Sequence, residues 1–237
     1  MFVVKMRKVF IIFVLILTLL TGTICFSAIN KSASETTVRK YKIVLDAGHG
    51  GVDGGVVGKN SGIKESDLNL SIVKKLENDC KNAGYSFVLT RKTQAGLYGL
   101  ATSNLKRKDM QARRDIINKE KPNLVISVHL NKYSLTSRRG AQTFYKENCE
   151  QGKILAQSIQ NSFNNMEEAP RQSFPLRGDY YILNCSSYPS VIAECGFMSN
   201  TEDEALLITD EYQEKIAYAI FKGIVEYLSQ NIKTHNH

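Results

Sequence analysis

Four side chains could act together as chemistry: His49, Glu65, His129 and Glu194. Two imidazoles and one carboxylate form the donor set of an open catalytic zinc site, where three protein ligands leave a fourth position for water. Zinc held in this way polarises a carbonyl and lowers the pKa of its water to about 7. Hydrolysing an amide also needs a group that takes a proton and returns it to the leaving amine. Glu194 ends the apolar run 191–194, where a carboxylate is costly without a use. Each residue also has a plainer reading. A single histidine is more often structural, Glu65 in a first helical turn favours the helix dipole, and Glu194 could cap a helix or pair with a cation. Glu65 and Glu194 alone would suit a metal-free glycosidase, which leaves both histidines without a role. His235 and His237 fall in the C-terminal tail and are set aside. No H-E-x-x-H motif is present, which excludes the metalloproteases built on it. Gly48, Gly50, Gly51, Gly54 and Gly55 lack the Lys-Ser/Thr of a phosphate loop and fit a dinucleotide fingerprint poorly. Their use is steric: a tight bend and a close approach of backbone to a ligand.

These residues need elements to hold them. Residues 42–46 read as a strand that runs into the glycines. Leu68, Ile72, Leu76 and Cys80 form a helical stripe ended by Gly84. Strands are expected at 85–89, 124–129, 141–145 and 191–194, and helices at 105–120, stopped by Pro122, and through Ile154, Leu155, Ile159 and Phe163. Residues 164–178 read as loop. Thr201-x-x-Glu204 and Asp210-x-x-Gln213 resemble capping boxes, the second opening a last helix through Ile216, Ile220, Ile224 and Leu228. Alternating strands and helices predict a single α/β domain, a mostly parallel central sheet flanked by helices. Active sites of such sheets lie at the carboxyl ends of strands, where His49, His129 and Glu194 all fall.

The chain has 237 residues, 43% hydrophobic and 23% charged, enough to bury a core. Lys5, Arg7 and Lys8 precede the uncharged apolar run 9–26, so residues 1–28 read as a cleaved signal or a retained membrane anchor, with the body exported. Residues 29–40 read as linker, 41–230 as the catalytic domain and 231–237 as tail. Removing the three leader cations from the formal charge of +8 leaves about +5, which suits an anionic wall polymer or plain solubility. No basic tract interleaved with aromatics points to nucleic acid. The five cysteines form no C-x-x-C pair, so a thiolate zinc site is excluded.

Taken in order, four blocks resemble the zinc N-acetylmuramoyl-L-alanine amidases of the Amidase_3 type over roughly residues 42–228. They are Ile43-Val-Leu-Asp-Ala-Gly-His-Gly-Gly, Lys64-Glu-Ser-Asp-Leu-Asn-Leu, Arg113 through Asn118 to Ser127-Val-His-Leu-Asn, and Pro189-Ser-Val-Ile-Ala-Glu-Cys-Gly-Phe-Met-Ser-Asn. The resemblance implies that His49, Glu65 and His129 bind Zn2+ and that Glu194 is the catalytic acid/base. It implies peptidoglycan as substrate, cut between N-acetylmuramic acid and L-alanine. A wall-binding module without turnover is the non-enzymatic alternative, which the presence of all four residues disfavours. The length and the strand Gly140-Ala-Gln-Thr-Phe-Tyr resemble the small sporulation members, which trim spore-cortex peptides toward muramic-δ-lactam. Some relatives plug the site with an inserted helix, for which 164–178 is too short, so control would fall to timing, location or an accessory protein. Asn131 is a candidate to orient His129 or to meet substrate, and Arg177 to bind a peptide carboxylate.

Overall fold

The computed structural model describes residues 41–234. The expected leader and linker, and residues 235–237 of the expected tail, lie outside the described residues. Six strands form one sheet: β1 (Lys42–Ala47), β2 (Ser86–Leu89), β3 (Leu124–Asn131), β4 (Gln142–Tyr145), β5 (Leu176–Arg177) and β6 (Ser190–Phe197). The helices are α1 (Glu65–Asn82), α2 (Leu105–Glu120), α3 (Glu150–Asn164), α4 (Tyr181–Asn184), α5 (Thr201–Leu207) and α6 (Asp210–Thr234). Strand order is β2-β1-β3-β6-β4-β5. β2, β1, β3 and β6 run parallel, and β4 reverses direction against β6.

Because successive strand residues face opposite sides, the sheet buries two separate surfaces. Ile43, Leu45, Leu124, Ile126, Val191 and Ala193 point toward α1, α3 and α6, and pack into the larger core. Val44, Val125 and Ile192 point the other way, onto Ile117 of α2 and Ile182 and Leu183 of α4. Helices on both faces leave the edge formed by the strands' carboxyl ends as the place where loops and functional groups gather.

Differences from the sequence reading are local. β6 runs from Ser190 to Phe197, longer than 191–194, and β5 and α4 add short elements in or just after the expected loop. Neither capping box forms. Asn200 caps α5, its side chain accepting from the backbone N–H groups of Glu202 and Asp203. The carboxylate of Glu204 turns instead to the loop before α1, accepting from Asn60 N at 2.9 Å and Ser61 N at 2.7 Å. At α6 the capping oxygen is Thr209 Oγ1, which accepts from Tyr212 N. α2 does end before Pro122, with Lys121 in the left-handed conformation.

Candidate active site

β1 ends at Ala47, and Gly48 N still donates to Val128 O at 3.0 Å, so the chain leaves the sheet beside the end of β3. His49 follows with φ 60°, a conformation few non-glycine residues adopt. Arg113 Nη2 donates to His49 O at 2.6 Å and holds that peptide. A side chain on Gly48 would run into the His129 ring, and one on Gly55, at φ 67°, would run into the Glu65 carboxylate and the His49 ring. Gly48 and Gly55 thus let the backbone pass close to the side chains of the cluster.

Glu65 is the first residue of α1 and is buried. Its Oε1 lies 3.1 Å from His49 Nε2 and 3.0 Å from His129 Nδ1. The same oxygen accepts from Leu130 N at 3.1 Å and Asn69 Nδ2 at 3.2 Å, while Oε2 accepts from Val56 N at 2.9 Å. Burial opposes its charge, but the two imidazoles hold its carboxyl well below the usual carboxylate range. Burial likewise opposes protonation of His49, and Glu65 and Asp53 together raise its pKa. Donor atoms of His49, Glu65 and His129 all lie within 4.8 Å of one another. Away from Glu65, His49 Nδ1 meets Asp53 Oδ1 at 3.0 Å. A carboxylate behind a ligating imidazole is the usual means of fixing its ring. This donor set, its convergence and its supporting shell fit a zinc ion.

β3 and β6 are in register at His129 and Glu194, which sets Glu194 beside the cluster. Glu194 is buried, and its Oε2 has no hydrogen-bond partner among the described residues. Burial pushes its pKa up to about 7, with His129 and His49 pulling down and Glu65 pushing up. All four residues line one cleft of about 410 Å³. Met110, Ile182 and Ile192 give the cleft an apolar wall, while Lys106 and Lys132 add positive charge.

Asn131 also lines the cleft, and its Oδ1 accepts from Lys132 N rather than bonding to His129. Arg177 lies on β5, exposed and paired with Glu147 at 2.9 Å, and is not among the cleft residues. The sequence reading gave no role to Asp53 or Asn69. The signal for Asp53 was its place four residues after His49 in the glycine loop, and for Asn69 its place one helical turn after Glu65.

Residues 43–226 match the family model Amidase_3, N-acetylmuramoyl-L-alanine amidase. The chain is 33% identical over 192 residues to the germination-specific N-acetylmuramoyl-L-alanine amidase of Bacillus subtilis (strain 168), covering 79% of this chain and 80% of that one. Among solved structures it resembles the CwlD amidase from Clostridioides difficile, solved in complex with the GerS lipoprotein, at 36% identity and TM-score 0.77, covering 80% of this chain and 98% of that one. An N-acetylmuramoyl-L-alanine amidase from Clostridium difficile 630 aligns at 28% identity and TM-score 0.70, covering 80% of this chain and 97% of that one. The chain belongs to the Amidase_3 family and is an N-acetylmuramoyl-L-alanine amidase of peptidoglycan.

Proposed function

We propose that the enzyme works with zinc held by His49, Glu65 and His129, with Glu194 as acid/base, and that its substrate is spore-cortex peptidoglycan outside the cytoplasmic membrane. One observation carries the chemistry: three convergent donors and an unpartnered buried carboxylate open on the same cleft. Zinc, when bound, supplies a polarised carbonyl and a water acidic enough to attack at neutral pH. Glu194 holds and moves the proton. Beside a bound dication its ionised form is favoured, so it begins as base, takes the proton of the attacking water and gives it to the amine of L-alanine as the bond breaks. Glu65 cannot share that task, because both its oxygens are engaged and its charged form is favoured. Against the glycosidase reading, both oxygens of Glu65 are held by the imidazoles and by main-chain N–H groups, so neither is free to attack a sugar or activate a water. Asn131 is the substrate-facing candidate on the β3 side of the cleft.

The cortex assignment rests on likeness to the germination-specific relative. An accessory protein is part of the proposal, because the Clostridioides difficile relative was solved with a lipoprotein bound. Among the described residues no helix is long and apolar enough to cross a membrane; the apolar run 9–26 is the segment proposed for membrane attachment.

Mass spectrometry of digested cortex peptidoglycan tests the reading. Zinc-loaded enzyme, with the accessory protein where needed, should release stem peptides beginning with a free L-alanine amine, whereas chelated enzyme and Glu194→Gln should not. Undiminished release after chelation would sink the zinc proposal. Normal muramic-δ-lactam in spores lacking the protein would sink the cortex role.

A further inference from the structure

Arg91, which follows β2, is buried, and all its hydrogen bonds go to main-chain carbonyls. Nε donates to Ala47 O at 2.9 Å and Nη1 to Thr93 O at 2.9 Å. Nη2 donates to two oxygens at once, Gly48 O at 2.9 Å and Ser66 O at 2.7 Å. Gly48 precedes His49, and Ser66 follows Glu65. One nitrogen thus ties the residues flanking two of the three donors, across the gap between the glycine loop and the start of α1.

Stability alone does not account for such a group. A buried cation carries a large desolvation cost, and among the described residues Arg91 has no ion-pair partner to offset it. Arg113 adds repulsion, and burial together with that neighbour brings the Arg91 pKa down to about 10, still charged at neutral pH. Nor would the main-chain oxygens beside His49 be orphaned without it. Ala47 O also accepts from Arg113 Nη1 at 2.8 Å, and Gly48 O from Asn69 Nδ2 at 3.2 Å. What the planar fork adds is anchorage: Nε on Ala47 O and Nη1 on Thr93 O fix the plane, so Nη2 is held in place between the two peptides, which a lysine's unanchored ammonium does not reproduce.

We infer that Arg91 is a positioning residue for the metal site: it sets the spacing of His49 and Glu65 by clamping the peptides next to them. This rests on the zinc reading above. Its test uses wild type, Arg91→Met and Arg91→Lys, each measured two ways. Zinc affinity is read by competition with a chromophoric chelator, and unfolding of the metal-free protein by calorimetry in EDTA. The expected result is zinc binding weaker by about 10–100-fold in both variants, with metal-free melting of the methionine variant equal to or above wild type. Wild-type zinc affinity in both variants would overturn the inference. So would a loss of metal-free stability or folding in both, which is the signature of a purely structural residue. If wild type itself fails to bind zinc, the zinc reading falls and the clamp with it, an outcome distinct from the first two.

Discussion

Glu194→Gln should make the metal-free protein more stable, and only at high pH. The ordinary carboxyl value of 4.5 is raised to about 7 in the fold, chiefly by burial. Between those values the folded protein binds more protons than the unfolded chain, so stability falls as pH rises. The cost is absent below about 4.5 and complete above about 7. At about 1.4 kcal/mol for each tenfold change, a rise of that size amounts to roughly 3 kcal/mol. Glutamine keeps the shape and cannot ionise, so it removes this cost and leaves the unpartnered polar atom in place. Urea unfolding in EDTA should find the two proteins alike at about pH 4 and the variant more stable by roughly 1–3 kcal/mol at about pH 8. The same substitution should lower turnover of the zinc enzyme by about 10²–10⁴-fold. A stability difference that is the same at both pH values would refute the reasoning, because it would mean that Glu194 does not hold its proton through that range.

Gly55→Ala forces a side chain at φ 67° into the Glu65 carboxylate and His49 ring, so it should cost about 1–2 kcal/mol of stability and weaken zinc binding, measured by thermal melts with and without metal. Glu204→Ala strips the acceptor from Asn60 and Ser61 and should lower unfolding free energy by about 3 kcal/mol in urea titrations. Asn131→Ala should raise KM several-fold on purified muropeptides. Arg177→Ala, which breaks exposed contacts with Tyr145 and Glu147, should leave both KM and Tm unchanged.

The architecture was legible because its strands read as apolar runs and its helices as stripes at helical spacing. The four candidate residues, which the structure brings to one cleft, could be picked out because strand ends and one helix start are marked by glycines and by a carboxylate in an unusual setting. What escaped were interactions between distant segments. Thr201 and Glu204 carry a capping pattern, yet Glu204 bonds to a loop 143 residues away, and Asn200 takes over the cap. The expected end of the last strand at residue 194 stopped three residues short, since burial on both faces lets β6 pass through Glu194, Cys195 and Gly196 without an alternating pattern. Arg91 looks like any basic residue after a strand. Its partners, Gly48 and Ser66, are 43 and 25 residues away, and nothing local announces a guanidinium aimed at carbonyls.

The donors come from a loop, a helix start and a strand, with Glu65 and His129 separated by 64 residues. The donors meet only when β1, β3 and the start of α1 have packed together, so the site depends on long-range packing rather than on any local motif. A metal bound there acts as a clasp between segments that the unfolded chain keeps apart, and it stabilises the folded state by mass action, by about 4 kcal/mol when free metal exceeds Kd a thousandfold. The lifetime of this enzyme against proteases should therefore follow metal supply. On the zinc proposal, starvation for the metal both silences the enzyme and exposes it to clearance.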